Sequence, residues 1–344
     1  MTVIRRALAA SALCAAVSLL PFAAAGQMCA GDCDLDCNVT VDELLALVTA
    51  ALDEDRLDLC RAGDADRDAQ VTIDEILGGV GNALEGCANA MCTEPSVPAT
   101  FTARPGVEQL TIVGAGARVP LTLYDASGEK LITYITDDWG QTSFAYVPDE
   151  YDVLQTGPDV GIPTVEGATL KRGFYVVRDE SVDPPQVAAG IRVLGVADVA
   201  DESFYASQSL EPGFQYIEMR DGVKLSATVR FPDPILWGPP PYPTVVEYTG
   251  YGTSNPRSQD PGSGIANLLG YATVGVNMRG SGCSGGIFDV FNPAQHADGY
   301  DVIEVVARQP WVKHGKVGMV GLSYGGISQL YVASTRPPSL AAIT

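Results

Sequence analysis

Apolar and polar positions alternate with a period of two along Gln109–Val113, Val119–Tyr124, Lys130–Ile135 and Thr142–Val147. Asp125-Ala-Ser-Gly128 and Asp137-Asp-Trp-Gly140 supply turns between these runs. Further strands are expected at Lys171–Val177 and Gly190–Val196, and together they predict a small β-sandwich followed by an extended connection. No catalytic grouping falls here, and Trp139 is expected to pack in its turn or in the core rather than to serve as a ligand platform. The preceding segment, Thr93 to about Val107, carries Pro95, Pro98 and Pro105 and reads as a linker.

From Phe214 the pattern changes. Strand-like runs at Phe214–Met219, Lys224–Phe231, Thr244–Tyr248, Ala272–Asn277 and Val317–Gly321 are joined by helical periodicity at Pro293–Gln309 and after Ser323. Strands that give way to strand–helix alternation predict an α/β sheet.

Charge removes whole classes of function. The 344 residues hold 21 Lys and Arg against 42 Asp and Glu, a net charge of −21. Such a chain lacks the clustered cations that neutralise phosphate, so no nucleic-acid partner is expected, nor docking on anionic lipid. At the start, Arg5-Arg6, the apolar run Ala7–Phe22 and Ala23-Ala24-Ala25 read as a cleaved bacterial secretion signal over residues 1–25. The run falls short of the roughly 20 residues of a membrane span. A soluble protein that is secreted, periplasmic or at the cell surface is therefore expected.

Seven cysteines follow the signal, and six of them (Cys29, Cys33, Cys37, Cys60, Cys87 and Cys92) crowd the first part of the mature chain. Export favours disulfides over a thiolate metal cluster at Cys29, Cys33 and Cys37, and six cysteines leave about 15 pairings open. Cys283 stands apart in a distant loop, with no redox or nucleophilic role indicated.

Two acidic segments repeat at an offset of 32 residues. One places Asp32, Asp34, Asp36, Asn38 and Glu43 at loop positions 1, 3, 5, 7 and 12; the other places Asp64, Asp66, Asp68, Gln70 and Glu75 there. That spacing supplies the oxygen ligands of a Ca²⁺ site. Val39 and Val71 are expected to pair the loops through a short β bridge, and exit helices are expected from Leu44 and Ile76. Position 6, usually Gly, is Cys37 in one loop and Ala69 in the other, and a Cβ carries a steric cost at positive φ. A loop and exit helix without an entering helix resembles the dockerin type of EF-hand module over residues 30–85. The resemblance implies a cohesin-like partner; a structural Ca²⁺ staple is the simpler reading. Residues 26–92 carry 15 acidic and 3 basic side chains, so a bound cation would relieve repulsion.

Lys316-Val-Gly-Met-Val-Gly321-Leu-Ser323-Tyr-Gly325 runs an apolar strand into Gly-x-Ser-x-Gly and then a helix-compatible stretch, the context of a nucleophile elbow. Ser323 is the candidate nucleophile, and the Tyr324 N–H is placed to donate to an oxyanion. Gly280-Ser-Gly-Cys-Ser-Gly285 spells a dinucleotide fingerprint, but no helix opens from it.

The segment 214–344 resembles the CocE/NonD acyl esterases, the family of cocaine esterase and the X-Pro dipeptidyl-peptidases. The resemblance rests on Phe214–Ala227, Arg279-Gly-Ser-Gly-Cys-Ser-Gly-Gly286, Asp298-Gly-Tyr-Asp-Val-Ile-Glu304, Gln309-Pro-Trp311 and Gly315–Met319. Val305 and His314 depart from the family, which often has Trp and Asn there. The resemblance implies an α/β-hydrolase with a Ser–His–Asp triad that acts on a small ester, amide or X-Pro peptide without a cofactor. It also implies a tyrosine hydroxyl as second oxyanion donor, for which Tyr251 fits better than Tyr248.

In such hydrolases the acid and the histidine follow the serine. The 21 residues after Ser323 contain no Asp, Glu or His, and neither His296 nor His314 is placed to act as base. The expectation is a multidomain secreted serine hydrolase: signal 1–25, dockerin-like module 26–92, linker and β-rich region 93–210, and the N-terminal portion of an α/β-hydrolase with an incomplete sheet at 211–344. It is expected to stop short of its Asp and His and to be inactive in this form. The alternative is a non-enzymatic Ca²⁺-binding docking or adhesion protein with a vestigial hydrolase segment.

Overall fold

The computed structural model describes residues 29–65, 69–87, 92, 95–126, 128–148 and 167–344. The signal expected at 1–25 and the loop carboxylates Asp66 and Asp68 lie outside the described residues.

Two helices, α1 (Val41–Leu52) and α2 (Ile73–Glu85), follow the two acidic loops. Each begins three residues ahead of its first expected apolar position, because a capping box sets the start. The Thr40 hydroxyl accepts the Glu43 N–H at 3.3 Å, while Glu43 Oε2 accepts the Thr40 N–H at 2.7 Å. Thr72 and Glu75 repeat the arrangement. Leu47, Ala50 and Val71 pack around Cys33 and Cys60 in a small core. Disulfides Cys29–Cys87, Cys33–Cys60 and Cys37–Cys92 brace it, as a core of this size requires. Among the described residues no β bridge joins Val39 to Val71. Both helices leave an apolar stripe in solvent: Val41, Leu45, Val48 and Leu52 on α1, and Ile73, Leu77, Val80 and Leu84 on α2.

The next strands are β1 (Val97–Pro98), β2 (Thr102–Pro105), β3 (Leu110–Val113), β4 (Pro120–Asp125), β5 (Lys130–Ile135) and β6 (Thr142–Phe144). After them come β7 (Tyr146–Pro148), β8 (Gly167–Thr169), β9 (Gly173–Asp179) and β10 (Gln186–Val193). A five-stranded sheet runs β1-β10-β9-β4-β5 and a three-stranded sheet β2-β3-β6. Leu110, Ile112 and Phe144 of one sheet share a core with Leu121, Leu123, Val177 and Val193 of the other. The proline-rich segment read as a linker thus contributes β1 and β2, both of them edge strands, where a missing N–H is tolerated. The Thr142–Val147 run splits, since β7 leaves to pair with β8. Trp139 is 79% exposed, against expectation. Its turn is closed by Asp137, which accepts the N–H groups of Trp139 and Gln141, and this directs the indole away from the core.

The last layer contains α3 (Glu202–Ala206), β11 (Gly213–Glu218), β12 (Lys224–Arg230), α4 (Pro234–Trp237), β13 (Tyr242–Thr249), α5 (Pro261–Leu268) and β14 (Ala272–Asn277). It continues with α6 (Pro293–Ala307), β15 (Val312–Met319), α7 (Tyr324–Ser334) and β16 (Leu340–Ile343). The sheet order is β11-β12-β14-β13-β15-β16, and β14, β13, β15 and β16 run parallel. The parallel strand β14 is buried throughout, as a strand covered on both faces must be. Helix α6 starts at Pro293, with the Asn292 side chain accepting the Ala294 N–H at 2.7 Å. β16, α3, α4 and α5 were not expected. The three helices are short, and α5 contains Gly262 and Gly264, so tertiary packing rather than propensity forms it.

Candidate functional site

β15 ends at Met319, and the chain turns sharply into α7 at Ser323, whose φ of 58° and ψ of −118° lie in a region β-carbon residues avoid. Gly321 makes room for the turn. A Cβ on Gly321 would stand 2.6 Å from the Gly325 carbonyl carbon and oxygen. The Ser323 Oγ lies 3.3 Å from the Tyr251 hydroxyl, on the exposed face of the turn. Tyr324 occupies the first position of α7, where a backbone N–H has no intrahelical acceptor and the helix dipole is positive.

The partners that aim these groups were not legible in sequence. Asn277, at the end of β14, accepts the Ser254 N–H at 2.9 Å and donates through Nδ2 to the Tyr251 carbonyl, so it holds the loop that carries Tyr251. The Tyr324 hydroxyl donates to Gln295 Oε1 at 2.9 Å, and its ring stacks on Phe291 at 5.5 Å between centroids. The Ser328 hydroxyl bonds the Tyr248 carbonyl at 2.6 Å and ties α7 to β13. Tyr248 itself is fully buried, with its hydroxyl on the Gln295 carbonyl at 3.1 Å, and takes no part in the exposed site.

Arg279 opens the glycine-rich loop and is buried. Its guanidinium bonds Asp298 Oδ2 of α6 at 2.7 Å and Asp221 Oδ2 at 3.0 Å. Gly280, at φ 69°, would put a Cβ 2.0 Å from the Phe288 nitrogen. The loop is therefore shaped by backbone contact, and the next helix begins only at Pro293. Cys283 is an exposed free thiol on it. A second buried pair, Arg220 and Asp301 at 2.7 Å, joins the end of β11 to α6.

The histidines lie elsewhere. The His296 ring stacks on Tyr331 at 4.5 Å, and burial lowers its pKa. His314 sits at φ 63° in the entry to β15. Among residues with a Cβ that backbone position favours Asn, Asp and His, so His314 suits the same backbone as the Asn it replaces. Among the described residues neither histidine hydrogen-bonds Ser323. Beneath the turn, burial raises the pKa of Glu247, whose Oε2 accepts the Ser263 N–H at 2.9 Å.

The N-terminal carboxylates form a separate site. Oxygens of Asp32, Asp34 and Asp36 lie within 4.8 Å of one another. Asp32 is 1% exposed; its Oδ2 accepts the Cys37 N–H at 3.0 Å, and its Oδ1 has no partner. Burial first, and the carboxylates of Glu43, Asp36 and Asp34 next, raise its pKa to about 7. Position 6 adopts positive φ in both loops, 70° at Cys37 and 68° at Ala69, and Ala69 N–H donates to Asp64 Oδ2 at 3.0 Å as Cys37 does to Asp32. The Asn38 side chain bonds the Asp36 carbonyl at 3.3 Å, and Gln70 is exposed. Glu43 stands outside the carboxylate triplet. Its Oε1 accepts Cys33 and Asp34 N–H groups at 2.8 and 3.2 Å, and Glu75 Oε1 accepts the Ala65 N–H at 2.6 Å.

The sheet order, with the serine at a strand-to-helix turn, defines an α/β-hydrolase-like layer. Residues 221–344 match the family model of X-Pro dipeptidyl-peptidase (S15 family), over the same segment whose motifs resemble the CocE/NonD acyl esterases. A CocE/NonD family hydrolase from Staphylococcus aureus aligns at 30% identity over 38% of this chain and 26% of its own, with a TM-score of 0.34. An alpha-amino acid ester hydrolase aligns at 25% identity over 42% of this chain and 26% of its own, TM-score 0.31. Est1E from Butyrivibrio proteoclasticus, with ferulic acid bound, aligns at 24% identity over 38% and 50%, TM-score 0.32. The chain thus spans 26% of the length of the first two of these. No curated protein matches it. The matched family segment begins at residue 221, so the acidic loops lie outside it.

Proposed function

We propose that residues 211–344 carry the nucleophile of a secreted serine hydrolase that cleaves an ester or amide bond through an acyl-enzyme on Ser323. The observation behind this reading is the Ser323 hydroxyl at a positive-φ turn, 3.3 Å from the Tyr251 hydroxyl and at the N-terminus of α7. In this mechanism Oγ attacks the carbonyl carbon and the carbonyl oxygen becomes an oxyanion. That oxyanion is held by the Tyr324 N–H and the Tyr251 O–H. Collapse expels the alcohol or amine, and water then releases the acid. The serine proton must pass to a base, and no described histidine bonds Ser323. Oxyanion donors and positioning alone leave about 10³–10⁴ over water in serine hydrolases stripped of a triad member.

The expected behaviour of the 344-residue chain is slow acylation by p-nitrophenyl acetate, seen by intact mass as one acetyl group on Ser323. Ser323→Ala abolishes it, and Tyr251→Phe slows it about 10²–10³-fold, as loss of one oxyanion donor does. Acetylation unchanged in both variants would refute the reading and favour the vestigial alternative. Rapid turnover would show a base that the geometry does not supply.

A second reading concerns the acidic module: it binds Ca²⁺. The partnerless, buried Oδ1 of Asp32 supports it, because an uncompensated buried carboxylate oxygen is costly and a cation satisfies it. Asp32, Asp34 and Asp36 with Asn38 would hold the ion, which supplies the missing countercharge; Asp64, Asp66, Asp68, Gln70 and Glu75 form the repeat. Titration of the EGTA-treated protein with Ca²⁺ in a calorimeter tests this, with binding heat expected and its loss in Asp32→Asn. The two equivalent exposed stripes on α1 and α2 favour a docking role for the module over a purely structural one.

A further inference from the structure

The two acidic loops are alike in sequence, and the first of them meets a neighbouring sheet. In the first loop, the Asp34 carbonyl leaves the helical module and accepts the Gly190 N–H of β10 at 2.9 Å. Gly190 stands at φ 68°, where the β10–β9 register shifts between Ala188 and Ile191. The bulge turns that amide toward the loop. Leu35, the next residue, is buried in a cluster with Ala126 and Val176, and Tyr124 and Val187 pack at its edge. These neighbours belong to or adjoin β4, β9 and β10. The second loop has Arg67 at the equivalent position, so its sequence offers no such anchor.

Leu35 adopts φ 63°, a left-handed backbone that a leucine holds only where its surroundings fix it. Its two sequence neighbours, Asp34 and Asp36, are the carboxylates that converge with Asp32. Without a counter-ion these groups repel one another across less than 4.8 Å, which opens the loop at the residue that docks. With a cation they are drawn together, and Asp34 and Leu35 are held in the docking conformation.

We propose that the first acidic loop is a cation-dependent clamp: a divalent cation held by Asp32, Asp34 and Asp36 locks Asp34 and Leu35 against the β9–β10 hairpin and joins the helical module to the β layers. The clamp rests on the calcium reading of the same loop and adds to it a consequence for the neighbouring sheet. Coupling of this kind is reciprocal. The factor by which Ca²⁺ strengthens docking is the factor by which docking tightens Ca²⁺.

The test uses the full chain, stripped with EGTA and then titrated with Ca²⁺. Amide hydrogen exchange across residues 186–193 is followed by mass spectrometry, and Ca²⁺ affinity by calorimetry. Ca²⁺ is expected to slow exchange of the Gly190 region at least tenfold. Asp32→Asn removes the effect together with the binding. Leu35→Ser and the milder Leu35→Ala alter no proposed ligand and add no charge; they are expected to lose the protection and to weaken Ca²⁺ binding by the same factor. If Ca²⁺ binds while exchange at 186–193 stays unchanged, or if both Leu35 variants bind at wild-type affinity, the clamp is wrong and the calcium reading stands. If no binding heat appears at millimolar Ca²⁺, the calcium reading fails and takes the clamp with it.

Discussion

Ser323 holds a φ of 58°, and Gly321, two residues before it and not itself at positive φ, contributes space rather than backbone freedom. Gly321 faces the Gly325 carbonyl at a separation that excludes a methyl group. Gly321→Ala must therefore open the turn. The expected outcome is a loss of about 1–3 kcal/mol in stability by chemical denaturation, together with loss of Ser323 acylation. Acylation at the wild-type rate would show that the turn does not depend on that close approach. The Gly-x-Ser-x-Gly spacing was readable in the sequence because it is local. Asn277 was not, since its role consists of meeting Ser254 and Tyr251 from a different strand.

Between elements, buried charge fixes geometry. Arg220 and Asp301 are both withdrawn from solvent, and Tyr205 adds a third group, donating its hydroxyl to Asp301 at 2.8 Å. Asp301→Asn leaves the guanidinium without its charge partner and is expected to cost about 3–5 kcal/mol, read as a fall in the denaturation midpoint. An unchanged midpoint would mean that β11 and α6 are held by apolar packing alone. The α6–α7 contact carries a pH signature. Burial against Tyr331 lowers the pKa of His296, so the unfolded chain takes up the proton first. The stability this contact provides is present above the unfolded value, about 6.5, and is lost as pH falls through it. His296→Phe is therefore expected to lose less Tm than the wild type between pH 7.5 and 5.5. An equal or greater loss would exclude His296 as the cause. The strand and helix periods of this layer were plain in the sequence, and β14 and α6 start where the pattern placed them. The short helices α3, α4 and α5 carried too few periods to stand out.

At the scale of the molecule, three layers meet through few but specific contacts. Val107 pairs with Leu194 and packs against Ala294 and Ala297 of α6, which fastens the β layers to the hydrolase-like layer. The helical module reaches the β layers through Asp34 and Leu35. The proposed clamp places a cation at that junction. Limited proteolysis of the wild-type chain is expected to cut between module and β layers faster in EGTA than in Ca²⁺; equal rates would argue against a cation-held junction.

The sequence by itself determined what is local: the repeat of the acidic loops, the strand periods and the serine motif, because each depends on residues a few positions apart. It left the cysteine pairing open and took the β1–β2 segment for a linker, since both depend on contacts made at long range. Tertiary structure alone decided that Tyr248 is buried on the Gln295 carbonyl, that Arg279 is satisfied by Asp298 and Asp221, and that the first acidic loop is anchored to a sheet. The physical reason is the same in each case. Which partner a polar group meets, and how deeply it is buried, is set by segments that are distant in the chain and adjacent in space.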